Sequence, residues 1–190
     1  MTWIKVCGIT SKADAEAAIA AGVSAIGLVF ANSSRRVTLE KAIGIAAIAR
    51  NRAQVVGVFR DPSLIEFTHS VVRFDLIQLH HTAPIDVPLP VLRAVRPELL
   101  DRSAIGEGET MLIDGSEGHG VAFDWRVVRK RADRFVIAGG LTAENVGVAV
   151  TTARPFGVDV STGVEKSPGQ KDPDKLVRFV EAVRRADGTR

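Results

Sequence analysis

Residues 135–165 run FVIAGGLTAENVGVAVTTARPFGVDVSTGVE, and the reading of this stretch decides the fold. It opens on a short apolar run, Phe135–Ala138, and closes on another, Gly157–Val160. Between them Thr142 stands as a capping residue before AENVGVAVTTA, with Glu144 and Asn145 in the first helical turn. Strand, helix and strand in this order predict two parallel strands joined by a crossover helix.

The same unit recurs along the whole chain. Further strand-like runs are Trp3–Cys7, Ala25–Phe30, Gln54–Phe59, Asp75–Leu79, Val91–Val95 and Met111–Asp114. They are near-continuous apolar runs, as strands covered on both faces should be. Ser11, Thr38, the Asp61–Pro62 pair and the Asp172–Pro173 pair open helical stretches, and Gly22 stops the first. The last helix carries Leu176, Phe179, Val180 and Val183 on one stripe. Eight units predict a single (β/α)₈ barrel, an α/β TIM barrel, in one domain over residues 1–190. A chain of 190 residues is short for eight full units. Helical periodicity fails between Leu79 and Met111, so one or both helices after strands four and five are expected to be degraded. An open doubly wound sheet is the alternative, but no Gly-x-Gly-x-x-Gly follows the first strand.

Composition narrows the class. Apolar residues are 46% and charged residues 25%, the balance of a globular domain. No apolar run reaches the roughly 20 residues that span a bilayer. Lys5 and Cys7 interrupt the apolar N-terminus, so a secretory leader is not expected. A lone cysteine forms no internal disulfide and suits a reducing cytoplasm. The net charge of +3 suggests a small anionic substrate. Aromatic content of 5% with no tyrosine offers no stacking platform for nucleic acid. The basic run from Arg126 to Arg134 reads as a helix with a solvated face.

Active sites of such barrels lie at the carboxyl ends of the strands. That rule selects Cys7, Gly8, the Ser33–Arg36 loop, Gln78, His80, Asp114, Gly139, Gly140, Asp159, Ser161 and Gly163. Gly139-Gly140 and Ser161-Thr162-Gly163 follow the last two strands, the usual phosphate site of the class. Taken alone, the glycine pair reads equally well as a tight turn. Cys7 alone reads as a buried small hydrophobe. Lys5, on the same strand face, would favour its thiolate. Asp114 is a candidate general acid or base, or a turn aspartate. Adjacent His80 and His81 point opposite ways on a strand and lack further ligands, so no metal is expected.

These blocks, in order, resemble phosphoribosylanthranilate isomerase of tryptophan biosynthesis over about residues 3–184. They are Lys5–Thr10, Gly27–Phe30, Ser33–Val37, Val56–Phe59, Gln78–His80, Leu112–Asp114, Phe123–Trp125, Ala138–Leu141 with Asn145-Val146, and Asp159–Glu165 with Pro168-Gly169 and Lys171-Asp172. The resemblance implies an Amadori rearrangement with Cys7 as general base and Asp114 as general acid. Arg35 would meet the anthranilate carboxylate, although a one-residue shortening of its loop leaves Arg36 as the alternative. Gly139, Gly140, Ser161 and Gly163 would cradle phosphate, while His80 and Asp159 would add ligand contacts. His81 and the Glu117–Gly120 loop depart from the family pattern. The expected partner is an anionic sugar phosphate, with no metal, cofactor, nucleic acid or membrane, in a cytoplasmic monomer or homodimer. The competing expectations are a sister isomerase of histidine biosynthesis, which would carry aspartate where Cys7 stands, and a catalytically silent phosphate-binding barrel.

Overall fold

A computed structural model describes residues 1–80, 86–100, 106, 108–115, 124–128 and 134–189. Eight parallel strands follow one another around a closed barrel. They are β1 (Trp3–Cys7), β2 (Ala25–Val29), β3 (Gln54–Phe59), β4 (Leu76–Leu79), β5 (Val91–Val95), β6 (Thr110–Asp114), β7 (Phe135–Ala138) and β8 (Gly157–Val160). β8 closes on β1, with Lys5 in register with Asp159. All eight expected strands are present; one end of β2, β4 and β6 differs by one residue. β2, β7 and β8 are buried at every position, which is why their sequences do not alternate.

Among the described residues five helices wrap the barrel: α1 (Lys12–Ala20), α2 (Leu39–Ala49), α3 (Ile65–Val72), α4 (Val146–Ala153) and α5 (Pro173–Asp187). Ser11 caps α1 by accepting the Asp14 N–H at 3.0 Å. Gly22, at φ +89°, turns the chain out of it. Asp172 caps α5 by accepting the N–H groups of Asp174 and Lys175 at 2.9 and 3.1 Å. The stripe predicted on α5 is buried against the barrel, with Leu176, Phe179 and Val183 fully inaccessible.

The degraded region falls where the sequence loses periodicity. The described residues between β4 and β5 contain no helix, and a single 3₁₀ turn, Pro97–Leu99, follows β5. After β6 the described chain makes a 3₁₀ turn at Trp125–Val127. Most of the expected basic helix, residues 129–133, lies outside the described residues, as do His81 and His119.

One cap is corrected. Thr142 does not start α4, which begins four residues later at Val146. The side chain of Asn145 clamps the preceding loop instead. Its Oδ1 accepts the Thr142 N–H at 2.8 Å and its Nδ2 donates to the Gly140 carbonyl at 2.8 Å. The Thr142 hydroxyl accepts the Glu144 N–H at 3.3 Å and makes only a local turn.

Two apolar layers hold the barrel. Val56, Val58, Leu92, Leu112 and Val136 pack together in one cluster. A larger cluster joins strand residues such as Ile4, Phe59 and Ile113 to the helices through Ile45, Val150 and Phe179. Phe179→Ala removes a fully buried ring from that cluster. The substitution is expected to cost about 3–5 kcal/mol, read as a lower urea midpoint at unchanged slope.

Candidate active site

A pocket of about 590 Å³ opens at the carboxyl end of the barrel. Nine of the residues expected from the sequence line it together: Cys7, Arg35, His80, Asp114, Gly139, Gly140, Asp159, Ser161 and Gly163, while Gly8 does not. Six different strand ends contribute, so the barrel gathers residues from positions 7 to 163 at one mouth. Arg36 is exposed and is not part of the wall. A larger, more open groove of about 840 Å³ involves the amino-terminal ends of β3 and β4, with Arg50, Arg52 and Arg73 on its wall. It is remote from the strand ends that carry chemistry in this architecture.

Three glycines shape the mouth. Gly139 and Gly140 both adopt left-handed backbone, φ +88° and +64°, which side-chain-bearing residues rarely accept. At Gly163 a Cβ would sit 1.9 Å from the Leu141 carbonyl oxygen, so the loops after β7 and β8 touch there. The phosphate-type cradle expected from the sequence is thus two loops in direct backbone contact.

Lys5 points into the barrel from β1 and is fully buried. Its ammonium donates to Asp159 Oδ2 at 2.8 Å and to Gln78 Oε1 at 2.7 Å. Burial alone would lower the Lys5 pKa, but Asp159, with Cys7 beside it, more than offsets this and the pKa is raised. Asp159 Oδ1 is buried and has no hydrogen-bond partner among the described residues. Burial raises the Asp159 pKa, and the nearby charge of Asp114 adds to the rise, against the pull of Lys5.

Cys7 ends β1 and is half-buried. The sequence suggested that Lys5 would bring its thiolate within easy reach. Instead burial raises the thiol pKa above its ordinary value, and Lys5 and Lys171 only partly counter that. The physical reason is that the Lys5 charge is already matched by Asp159, whose own charge opposes the thiolate.

A second ion cluster lies beside the mouth, and its organisation was not read from the sequence. Glu165 receives Arg35 through Nε and Nη2, both at 2.7 Å, and Lys171 at 2.8 Å. Burial would raise the Glu165 pKa, but the hydrogen bonds from Arg35 and Lys171 prevail and lower it. Lys171 is fully buried, also donates to the Ser161 carbonyl at 3.2 Å, and has its pKa lowered by burial. Arg35 lies over Gly8, where an added Cβ would meet its Cδ at 2.5 Å. Arg35 Nη1 makes no hydrogen bond among the described residues. The signal for this cluster was a charged residue, Lys171, at the foot of the last helix with no visible role.

A closed parallel barrel with a thiol, carboxyl groups and glycine loops at its carboxyl rim defines an enzyme of the TIM-barrel class acting on a small polar substrate. The family model for N-(5′-phosphoribosyl)anthranilate (PRA) isomerase matches residues 4–182. The chain belongs to this family. N-(5′-phosphoribosyl)anthranilate isomerase of Streptococcus pneumoniae is 38% identical, covering 97% of this chain and 96% of the relative. That of Streptococcus mutans is 36% identical, covering 97% and 100%. Phosphoribosyl anthranilate isomerase of Thermotoga maritima superposes with a TM-score of 0.86 at 33% identity, over 97% of this chain and 99% of the other. A phosphoribosyl anthranilate isomerase in complex with reduced 1-(o-carboxyphenylamino)-1-deoxyribulose 5-phosphate gives 0.84 at 32% identity, over the same shares.

Two measurements follow from these electrostatics. Cys7 is the chain's single cysteine, so its alkylation can be followed by mass alone. In the free protein the midpoint of the rise in alkylation rate with pH is expected above the ordinary thiol value of 9.0; a midpoint below it would contradict the environment described. Glu165 is held below its ordinary 4.5. A depressed carboxyl stabilises the fold above the unfolded value and loses that contribution as pH falls through the folded one. Glu165→Gln is therefore expected to flatten the acid limb of the stability–pH curve, measured by urea unfolding at stepped pH.

Proposed function

We propose that this pocket isomerises N-(5-phosphoribosyl)anthranilate to 1-(o-carboxyphenylamino)-1-deoxyribulose 5-phosphate, the Amadori rearrangement of L-tryptophan biosynthesis. The observation that carries the reading is the convergence of Cys7, Asp114 and the glycine loops after β7 and β8 on one pocket.

Two proton transfers are needed, and two groups are assigned to them. Asp114 gives a proton to the ribose ring oxygen. The C1′–O bond breaks as the anilino nitrogen lone pair forms the C1′=N iminium. The Cys7 thiolate then removes the C2′ proton, and the electron pair flows towards the iminium nitrogen to give the enolamine. Protonation at C1′ and loss of the enol proton complete the aminoketose. The iminium charge makes the C2′ proton acidic and favours a thiolate beside it, which compensates for the raised thiol pKa of the free protein.

Gly139, Gly140, Ser161 and Gly163 are assigned to the phosphate. Binding it supplies affinity remote from C2′ and fixes the sugar. Arg35 is assigned to the anthranilate carboxylate, and its uncommitted Nη1 supports this. Asp159 is assigned to a substrate hydroxyl. Its orphaned, buried Oδ1 supports this, since leaving such an acceptor unsatisfied costs about 1–3 kcal/mol. His80, on the same wall, is assigned a further contact. The proposal extends to a cytoplasmic monomer or homodimer. A crystal structure of mutually generated monomers of the dimeric Thermotoga maritima enzyme, at 32% identity, supports this reading.

The test is loss of phosphoribosylanthranilate fluorescence on adding the purified protein. Cys7→Ala and Asp114→Asn are each expected to lower kcat by about 10²–10⁴-fold, the usual weight of general acid–base catalysis. Losses under about tenfold would reassign the two groups.

A further inference from the structure

The buried polar chain behind the pocket does not stop at Lys5. Gln78 Oε1 accepts from Lys5 at 2.7 Å, and Gln78 Nε2 lies 2.9 Å from His80 Nε2. Asp159, Lys5, Gln78 and His80 thus form one relay from β8 and β1 to the end of β4. Three of the four are nearly inaccessible to water: Lys5 at 0%, Gln78 at 3% and Asp159 at 6%.

Donor and acceptor chemistry fixes the sense of every link. An ammonium has three donors and no acceptor. Lys5 is kept as the ammonium by its ion pair with Asp159, in a site with no exposure to solvent. Only the oxygen of the Gln78 amide can face it, whichever way the amide would otherwise turn. The NH₂ group of Gln78 must then face His80, and an NH₂ group only donates. The His80 Nε2 that meets it must offer a lone pair. A neutral ring with a lone pair on Nε2 carries its proton on Nδ1.

We propose that Lys5 and Gln78 are positioning residues that hold His80 as a neutral imidazole protonated on Nδ1. The ring then has one donor, on the side away from Gln78. Protonating Nε2 would set two donors against each other and require the amide to turn, which would break the Lys5 bond. The tautomer is dictated from the far side of the barrel, through a charge that never meets substrate. This inference rests on the proposed function only for what the ring contacts; the protonation pattern itself is independent of turnover.

The wild-type protein contains its own control. His69 Nδ1 accepts the Phe74 N–H at 3.1 Å, so a neutral His69 carries its proton on Nε2. Long-range ¹H–¹⁵N correlation on histidine-labelled protein, well above the ordinary histidine pKa of about 6.5, separates the two tautomers. His80→Gln and His69→Gln, each deleting one set of signals, assign them. The expected result is a protonated Nδ1 and a lone-pair Nε2 on His80, with the reverse on His69. A proton on Nε2 of His80 in the wild-type protein overturns the proposal, and this reading needs no variant to fold. Gln78→Glu replaces the donating NH₂ by an accepting oxygen and is expected to move the His80 proton to Nε2. It is also expected to raise KM about fivefold, the worth of one neutral hydrogen bond, with kcat less affected. A switched tautomer with KM and kcat both unchanged would remove the positioning role. Loss of all turnover in wild-type protein, with the His80 pattern as expected, would sink the proposed function and leave the relay standing.

Discussion

A lysine ammonium sealed inside a β-barrel is the constraint on which the rest of this molecule depends. Lys5 has no exposure, so its charge must be met from within. Asp159 is its register partner across the β1–β8 seam, where the barrel closes. The ion pair therefore sits on the last sheet contact to form in chain order, between residues 154 positions apart. Gly27 on β2 makes the room: a Cβ there would come within 3.0 Å of Cys7 Sγ and 3.2 Å of Lys5 Cε. A barrel interior of branched aliphatics would avoid the desolvation that this pair suffers. The polar chain is better understood as preorganisation of the rim than as a source of stability.

The Glu165 cluster does the equivalent work on the outside of the mouth. Glu165 ties Arg35, from the loop after β2, to Lys171, at the start of the last helical unit. Lys171 in turn holds the Ser161 carbonyl. Arg35 and the loop after β8 are thus mechanically joined through one glutamate. Movement of either would have to be paid in buried charge. Opposite this braced side, the described chain has no helix after β4 and only 3₁₀ turns after β5 and β6.

The strands were legible because a barrel buries both faces of each one, leaving unbroken apolar runs that composition alone exposes. Helix starts at Ser11 and Asp172 were legible because a short polar side chain before an apolar stripe has one cheap use. Thr142 misled for the same reason: Asn145, three residues on, competes for the loop through both ends of its amide, and a sequence does not rank two such claims. The candidate site was legible as a set of strand ends, since the fold sends all of them to one mouth. Its electrostatics were not. Lys5 was read against Cys7, two residues away on the same strand. The partner that spends its charge, Asp159, becomes a neighbour only when the barrel closes. Arg35 likewise points to a carboxylate in both readings, but the first one it meets is Glu165 from its own chain.

The raised thiol pKa sharpens what the barrel does for Cys7. A base that is ionised at rest would need a free cation beside it, and an uncommitted buried cation would bind any passing anion. Here the resident cations are engaged in advance, Lys5 by Asp159, and Lys171 by Glu165, which Arg35 shares. On the proposed assignment of Cys7 as the base, the charge that favours a thiolate arrives with the substrate, as the iminium formed when the ring opens. Burial then works in two directions: it holds the free thiol protonated, and it strengthens the attraction between thiolate and iminium once both exist. Under that proposal, the proton transfer is coupled to the presence of a ring-opened adduct by the same low-polarity surroundings that make the cysteine look inert.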